Sequence, residues 1–138
     1  MTATALVNEL LEVFGEGLRT VALYGSAATT SEPVQPGDQH VLVIVDSLPL
    51  DRLTDAGAHV TKWLKEGHPP PLILTVAEWR SSSDIFPLEY ADILAQRREL
   101  HGKLPVEGIV VDPRELRVAV EREAMGKLLQ LRRGVIAA

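Results

Sequence analysis

Chemistry in this chain is suggested first by Gly25 and Ser26, then by Asp38 and His40. The pair Gly-Ser closes an apolar run, Val21 to Tyr24, and the acid and imidazole open a second one, Val41 to Val45. Residues i and i+2 of a strand project from one face, about 6–7 Å apart along the backbone. Two carboxylates placed so at a strand start can share divalent cations, and two metals ~4 Å apart clamp the attacking and leaving oxygens of phosphoryl or nucleotidyl transfer. A Gly-Ser turn beside them lets backbone N–H groups and a hydroxyl approach a triphosphate, because glycine has no side chain in the way. Only one carboxylate, Asp38, stands here, and the second position is His40. Mg²⁺ prefers an octahedral shell of oxygen ligands, whereas Mn²⁺ or Zn²⁺ accepts imidazole more readily. Asp-x-His therefore predicts weak Mg²⁺ binding.

These residues need elements to hold them. Leu6, Leu10, Leu11 and Phe14 recur at helical spacing over 3–16, with Thr2 or Thr4 available as N-cap and Gly15 and Gly17 as the stop. Thr20 to Tyr24 reads as a strand. Residues 27–39, with Pro33, Pro36 and Gly37, read as a loop that is long for a compact domain, a length that points to function. Val41 to Val45 is apolar throughout, the pattern of a central strand covered on both faces. A helical stripe of Leu50, Leu53, Ala56, Val60 and Leu64 spans about 50–65. Leu72 to Thr75 reads as a third strand, and Thr75 with Glu78 forms a capping box opening a short helix that carries Trp79. Residues 85–94 are ambiguous, with Pro87, Tyr90 and the β-branched ends favouring a strand. A charged segment, 96–102, and a short extended run, 105–111, follow. Asp112, Pro113 and Glu115 supply N-cap, N1 and N3 of a last helix to about Arg133, with Leu116, Val120, Ala124, Leu128 and Leu131 on one face. The order of elements predicts an α/β fold, a mixed sheet flanked by helices with a long C-terminal helix.

Leu23-Tyr24-Gly25-Ser26-Ala27-Ala28, a loop, then Gly37-Asp38-Gln39-His40-Val41-Leu42-Val43 resemble the nucleotidyltransferase superfamily, the polymerase-β-like fold. The motif is an apolar residue, Gly-Ser and, some ten residues on, Asp-x-Asp inside an apolar strand, and the flanking helices extend the resemblance over about 3–95. The resemblance implies a minimal nucleotidyltransferase domain spanning 1–138, with the C-terminal helix at about 113–133 added to its core. It implies a nucleoside triphosphate bound with Mg²⁺ or Mn²⁺, Gly25 and Ser26 as the nucleotide-binding turn, Asp38 as first metal carboxylate, and His40 at the second metal position. A third carboxylate, an acid between apolar residues on a strand, has two candidates, Glu89 and Asp92. The chain departs from the family at His40 and at Ala28, Thr29 and Thr30, where basic and acidic residues are usual. Nucleotide binding with weakened or lost transfer is the expected function. The alternative is a non-catalytic regulatory or interaction module, since small members of this superfamily pair with helical proteins, for example in toxin–antitoxin systems. A protein partner or a homo-oligomer would then use the last helix.

Composition excludes other classes. The 138 residues suffice for one core, and 46% apolar with 24% charged is ordinary for a globular protein. The chain has no cysteine, which removes disulfides, thiol nucleophiles and thiolate metal sites. A formal charge of −5 argues against a broad nucleic-acid-binding surface. No apolar run reaches the ~20 residues of a membrane span, and residues 1–5 lack the basic start of a signal peptide, so a cytoplasmic location is expected.

Overall fold

The computed structural model describes residues 1–28 and 39–138, the side chains of Ser26 and Ala27 excepted. Helix α1 (Ala3–Phe14) is capped by Thr2, whose hydroxyl accepts the Ala5 N–H at 3.1 Å, and it stops at Gly15, φ 55°. A short 3-10 turn, Gly15–Gly17, leads into β1 (Leu18–Tyr24), and a second one, Gly25–Ala28, follows it. The expected loop over 27–39 lies almost wholly outside the described residues, and so does Asp38.

Strand β2 (His40–Val45) is the centre of the sheet. From Val41 to Val45 every residue is buried, because β2 is hydrogen-bonded on both edges and covered on both faces. The expected helix over 50–65 divides at Val60 into α2 (Leu50–His59) and α3 (Thr61–Lys65). They form the crossover to β3 (Leu72–Thr75), which runs parallel to β2. Both halves of the capping box at Thr75 and Glu78 are present, at 3.1 and 2.9 Å, and they start α4 (Val76–Ser81).

The next two elements correct the sequence reading. Residues Pro87–Ala95 form a helix, α5, not a strand, and the charged segment supplies the fourth strand, β4 (Arg97–His101). The helix wins because Pro87, Tyr90 and Ile93 are spaced three apart and share one buried side, with Pro87 serving as N1. Charge did not disqualify β4, since it is an edge strand pairing only with β1, and edge strands tolerate exposed charged side chains. Residues 105–111 are irregular, not a strand. Helix α6 (Pro113–Ala137) begins as expected, with Asp112 accepting the Arg114 N–H at 2.8 Å, and runs past Arg133.

The sheet order is β3-β2-β1-β4, with β1 antiparallel to both neighbours and β2 parallel to β3. It is a mixed sheet flanked by helices, with a long C-terminal helix. Val21, Leu23, Val41, Val43 and Val45 face α1 and Trp63 of α3. Leu42, Ile44 and Leu74 face Trp79 of α4, Tyr90 and Ile93 of α5, and Leu104. Both tryptophans are fully buried with a bond for the indole N–H, Trp63 donating to the Pro69 carbonyl at 3.2 Å and Trp79 to that of Pro105 at 2.7 Å. Tyr90 stacks on Trp79 at 4.3 Å, and its hydroxyl donates to the Trp79 carbonyl at 2.7 Å. Helix α6 takes no part in either core: no residue of it is buried. No described helix is long and apolar enough to cross a membrane.

Candidate functional site

One end of the sheet gathers most of the residues singled out by the sequence. Strand β1 ends at Tyr24 and turns at Gly25, whose φ of 77° lies in the left-handed region that glycine enters without steric cost. The Gly25 N–H donates to the Gln96 carbonyl at 3.0 Å, which ties the turn to the start of β4. Strand β2 starts at His40, directly opposite Tyr24 in the ladder, with ring centroids 5.6 Å apart. The turn and the start of the second strand are therefore side by side.

Helix α5 flanks the same end. Glu89 and Asp92, one helical turn apart, are both exposed. Their charges reach Tyr24, whose phenol is pushed up from its usual value by burial first, then by Glu89 and Asp92. The two acids thus contribute negative potential to the mouth, from a helix face and not from a strand as the sequence suggested. Arg97 of β4 lies opposite Tyr24 in the other ladder. Its Nη1 donates to the Leu94 carbonyl at 3.1 Å, while its buried Nε lies 3.7 Å from the Glu99 carboxylate with no hydrogen-bond partner among the described residues. Arg97 was missed as a member of this end, because a charged segment gives no sign of being a strand until its partner is known.

The donor set can be tested against a divalent cation. Among the described residues, one group of three brings its ligand atoms within 4.8 Å of one another, and that group is Glu9, Glu12 and His59, on α1 and α2. Those side chains already pair, with His59 Nδ1 at 2.6 Å from Glu9 and 3.6 Å from Glu12. His40, Glu89 and Asp92 form no such group, so the described donors of the mouth do not fit a metal centre by themselves. Asp38 and the Ser26 hydroxyl lie outside what is described.

The opposite end of the sheet holds a cleft of about 390 Å³ that the sequence did not announce. Arg19, Arg80 and Lys103 stand at its rim around Thr20, Ile44 and Val76. Arg19 pairs with Asp46 at 2.5 Å, and the buried Thr20 hydroxyl donates to the Lys103 carbonyl at 3.0 Å. These residues come from β1, β2, α4 and the segment after β4, so no local spacing in the sequence could have joined them.

No family model and no curated protein matches the chain. Solved structures with some likeness include a chain of a variant of the toxin–antitoxin pair MntA–HpeT, 18% identical over 98% of this chain and 95% of its own, with a TM-score of 0.47. A chain of a toxin–antitoxin complex with AMP-PNP is 17% identical over 98% and 95%, also at 0.47. A chain of the Shewanella oneidensis complex of tri-AMPylated HEPN toxin with MNT antitoxin is 19% identical over 96% and 91%, at 0.43. Likenesses at this level assign no activity and no partner to the chain.

Proposed function

We propose that this is a nucleotidyltransferase-like domain that binds a nucleoside triphosphate at the mouth between β1 and β2, with weakened or lost nucleotidyl transfer. The observation that carries the reading is the Tyr24–His40 pairing, which sets the positive-φ Gly25 turn beside the start of β2. Asp38 precedes His40 by two residues in the sequence. In this reading Gly25 and Ser26 receive the phosphates, Asp38 is the first cation ligand, and His40 is an auxiliary one. Glu89 or Asp92 stands as the third acid, offered from an exposed helix face. An imidazole in place of a carboxylate acts against a tight Mg²⁺ site, and Mn²⁺ suits the set better.

The test is a transfer assay with labelled ATP beside a binding titration. Binding of ATP without AMP transfer is the expected result. Robust transfer that Asp38→Ala abolishes would show a working enzyme and overturn the claim of weakened catalysis. His40→Asp is expected to strengthen Mg²⁺ affinity, and an unchanged affinity would mean that residues 38 and 40 do not face a common cation. A second reading, a non-catalytic interaction module, is favoured by α6, whose apolar side chains the body leaves uncovered.

A further inference from the structure

Among the described residues, helix α6 packs on the body at its start, where Arg114, Glu115, Val118, Ala119 and Arg122 line a groove with the beginning of α5. Every residue from Val120 onward is exposed, including Leu131 at 66% and Val135 at 70%. Helices in proteins gain most of their stability by packing an apolar face, and most of α6 packs against nothing among the described residues. Val120, Ala124, Leu128, Leu131 and Val135 follow one another at steps of four, four, three and four, a stripe on the side away from the α5 groove.

The charges beside that stripe identify what covers it. Glu121 and Arg132 lie along one flank, and Glu123 and Lys127 along the other. From Glu121 onward each flank runs from acid to base; within the helix Arg117, one turn before, lies 3.1 Å from Glu121, and Lys127 lies 3.9 Å from Glu123. In an antiparallel pair related by a two-fold axis each flank meets its own copy, since the same patch serves both subunits. Centred near Gly126, such a pair sets Ala124 opposite the second copy's Leu128 and Val120 opposite the second copy's Leu131. Glu121 then faces the second copy's Arg132, and Glu123 the second copy's Lys127. A parallel pair joins unlike flanks and brings Lys127 toward the second copy's Arg132, two cations, and flanking charges of this kind set helix orientation.

We infer that α6 is a dimerisation helix that pairs antiparallel with α6 of a second copy of this chain. The inference rests on the second reading above only in taking α6 as an interaction element.

Sedimentation of the full chain over a range of concentrations, with circular dichroism on the same samples, tests it. A dimer is expected, and Leu128→Glu combined with Leu131→Glu should weaken it on the order of 100-fold or more, as loss of two buried leucines implies. Glu121→Lys and Arg132→Glu should each weaken the dimer, and the two together should restore it, because within one helix these residues are three turns apart. Since the chain has no cysteine, single-cysteine variants report orientation directly. Ala124→Cys mixed with Leu128→Cys should give the mixed disulfide, whereas self-linking of each variant in preference to it would mean a parallel pair and overturn the inference. A monomer at all concentrations also overturns it. If that monomer keeps the helix content of α6, the interaction reading still stands, with a different protein as partner. If α6 is unfolded in it, both fail.

Discussion

The two ends of β1 are built for opposite purposes. At its start the chain is tied down repeatedly: the Asp46 N–H donates to the Gly17 carbonyl at 2.9 Å, Thr20 to the Lys103 carbonyl, and His101 Nε2 lies 3.3 Å from the Leu18 carbonyl. At its finish, among the described residues, a single backbone bond holds Gly25, and the side chains of His40, Glu89 and Asp92 are exposed. The glycines show the same contrast. Gly25 and Gly102 both have positive φ, but among the described residues a Cβ on Gly25 would meet nothing within 4 Å, while one on Gly102 would lie 2.0 Å from the Arg19 carbonyl oxygen. Gly102 is a packing requirement that locks β4 against β1. Gly25 is a conformational requirement of the turn. The described ties are thus more numerous at the start of β1, which also borders the Arg19–Arg80–Lys103 cleft, than at its finish, the end proposed to receive a nucleotide.

The contrast can be broken most forcefully through these glycines. Gly102→Ala combines a left-handed backbone with a main-chain clash, and it should cost on the order of 2–4 kcal/mol in denaturant unfolding. Gly25→Ala pays only the backbone term, about 1–2 kcal/mol. Equal losses would mean that the two ends are equally constrained, and the account of an open mouth would fail.

The core beneath the mouth makes a second, smaller prediction through pH. Burial is the main cause that pushes the Tyr90 phenol up to about 12 from 10.0. Its hydroxyl donates to Trp79, so the protonated form is the one the fold holds. A raised pKa means that the stabilisation is complete below about 10 and is lost as pH rises from there through about 12, because the unfolded chain ionises first. Tyr90→Phe should flatten that part of the stability profile and cost about 1–3 kcal/mol at neutral pH, since the Trp79 carbonyl loses its donor. The smallest effect belongs to the tied end's surface: Arg19→Gln should leave the unfolding midpoint where it is, because an exposed ion pair is screened by solvent. A clear drop would show that the Arg19–Asp46 pair is part of what ties that end.

The same comparison explains what could be read from residues alone. Strands β2 and β3 and helices α1, α4 and α6 were legible because each carries a local signal: a continuous apolar run, Thr2 and Gly15 at the ends of a helix, a capping box, Asp112 before Pro113. Helix α5 and strand β4 were not. Tyr90 and Ile93 are β-like residue types, but with Pro87 they stand at a helical spacing, and spacing decided. In β4 only Leu100 is packed against a core, so its strand character comes from the β1 ladder and not from its own residues. At the mouth, Gly25 and His40 sit where two adjacent strands must put them, which sequence order could supply. The proximity of Glu89 and Asp92 to Tyr24 depends on how α5 returns across the sheet, and the Arg19–Arg80–Lys103 cleft joins residues from distant segments. Both are tertiary facts.

The central claim is that the open end of β1 receives a nucleoside triphosphate. The most direct test is a calorimetric titration of the intact chain with ATP, once with Mg²⁺ and once with Mn²⁺. Saturable binding of one ATP per chain, tighter with Mn²⁺ and weakened by Gly25→Ala, is the predicted result. No heat with either metal would contradict the claim and leave the Gly-Ser turn as an ordinary strand connection.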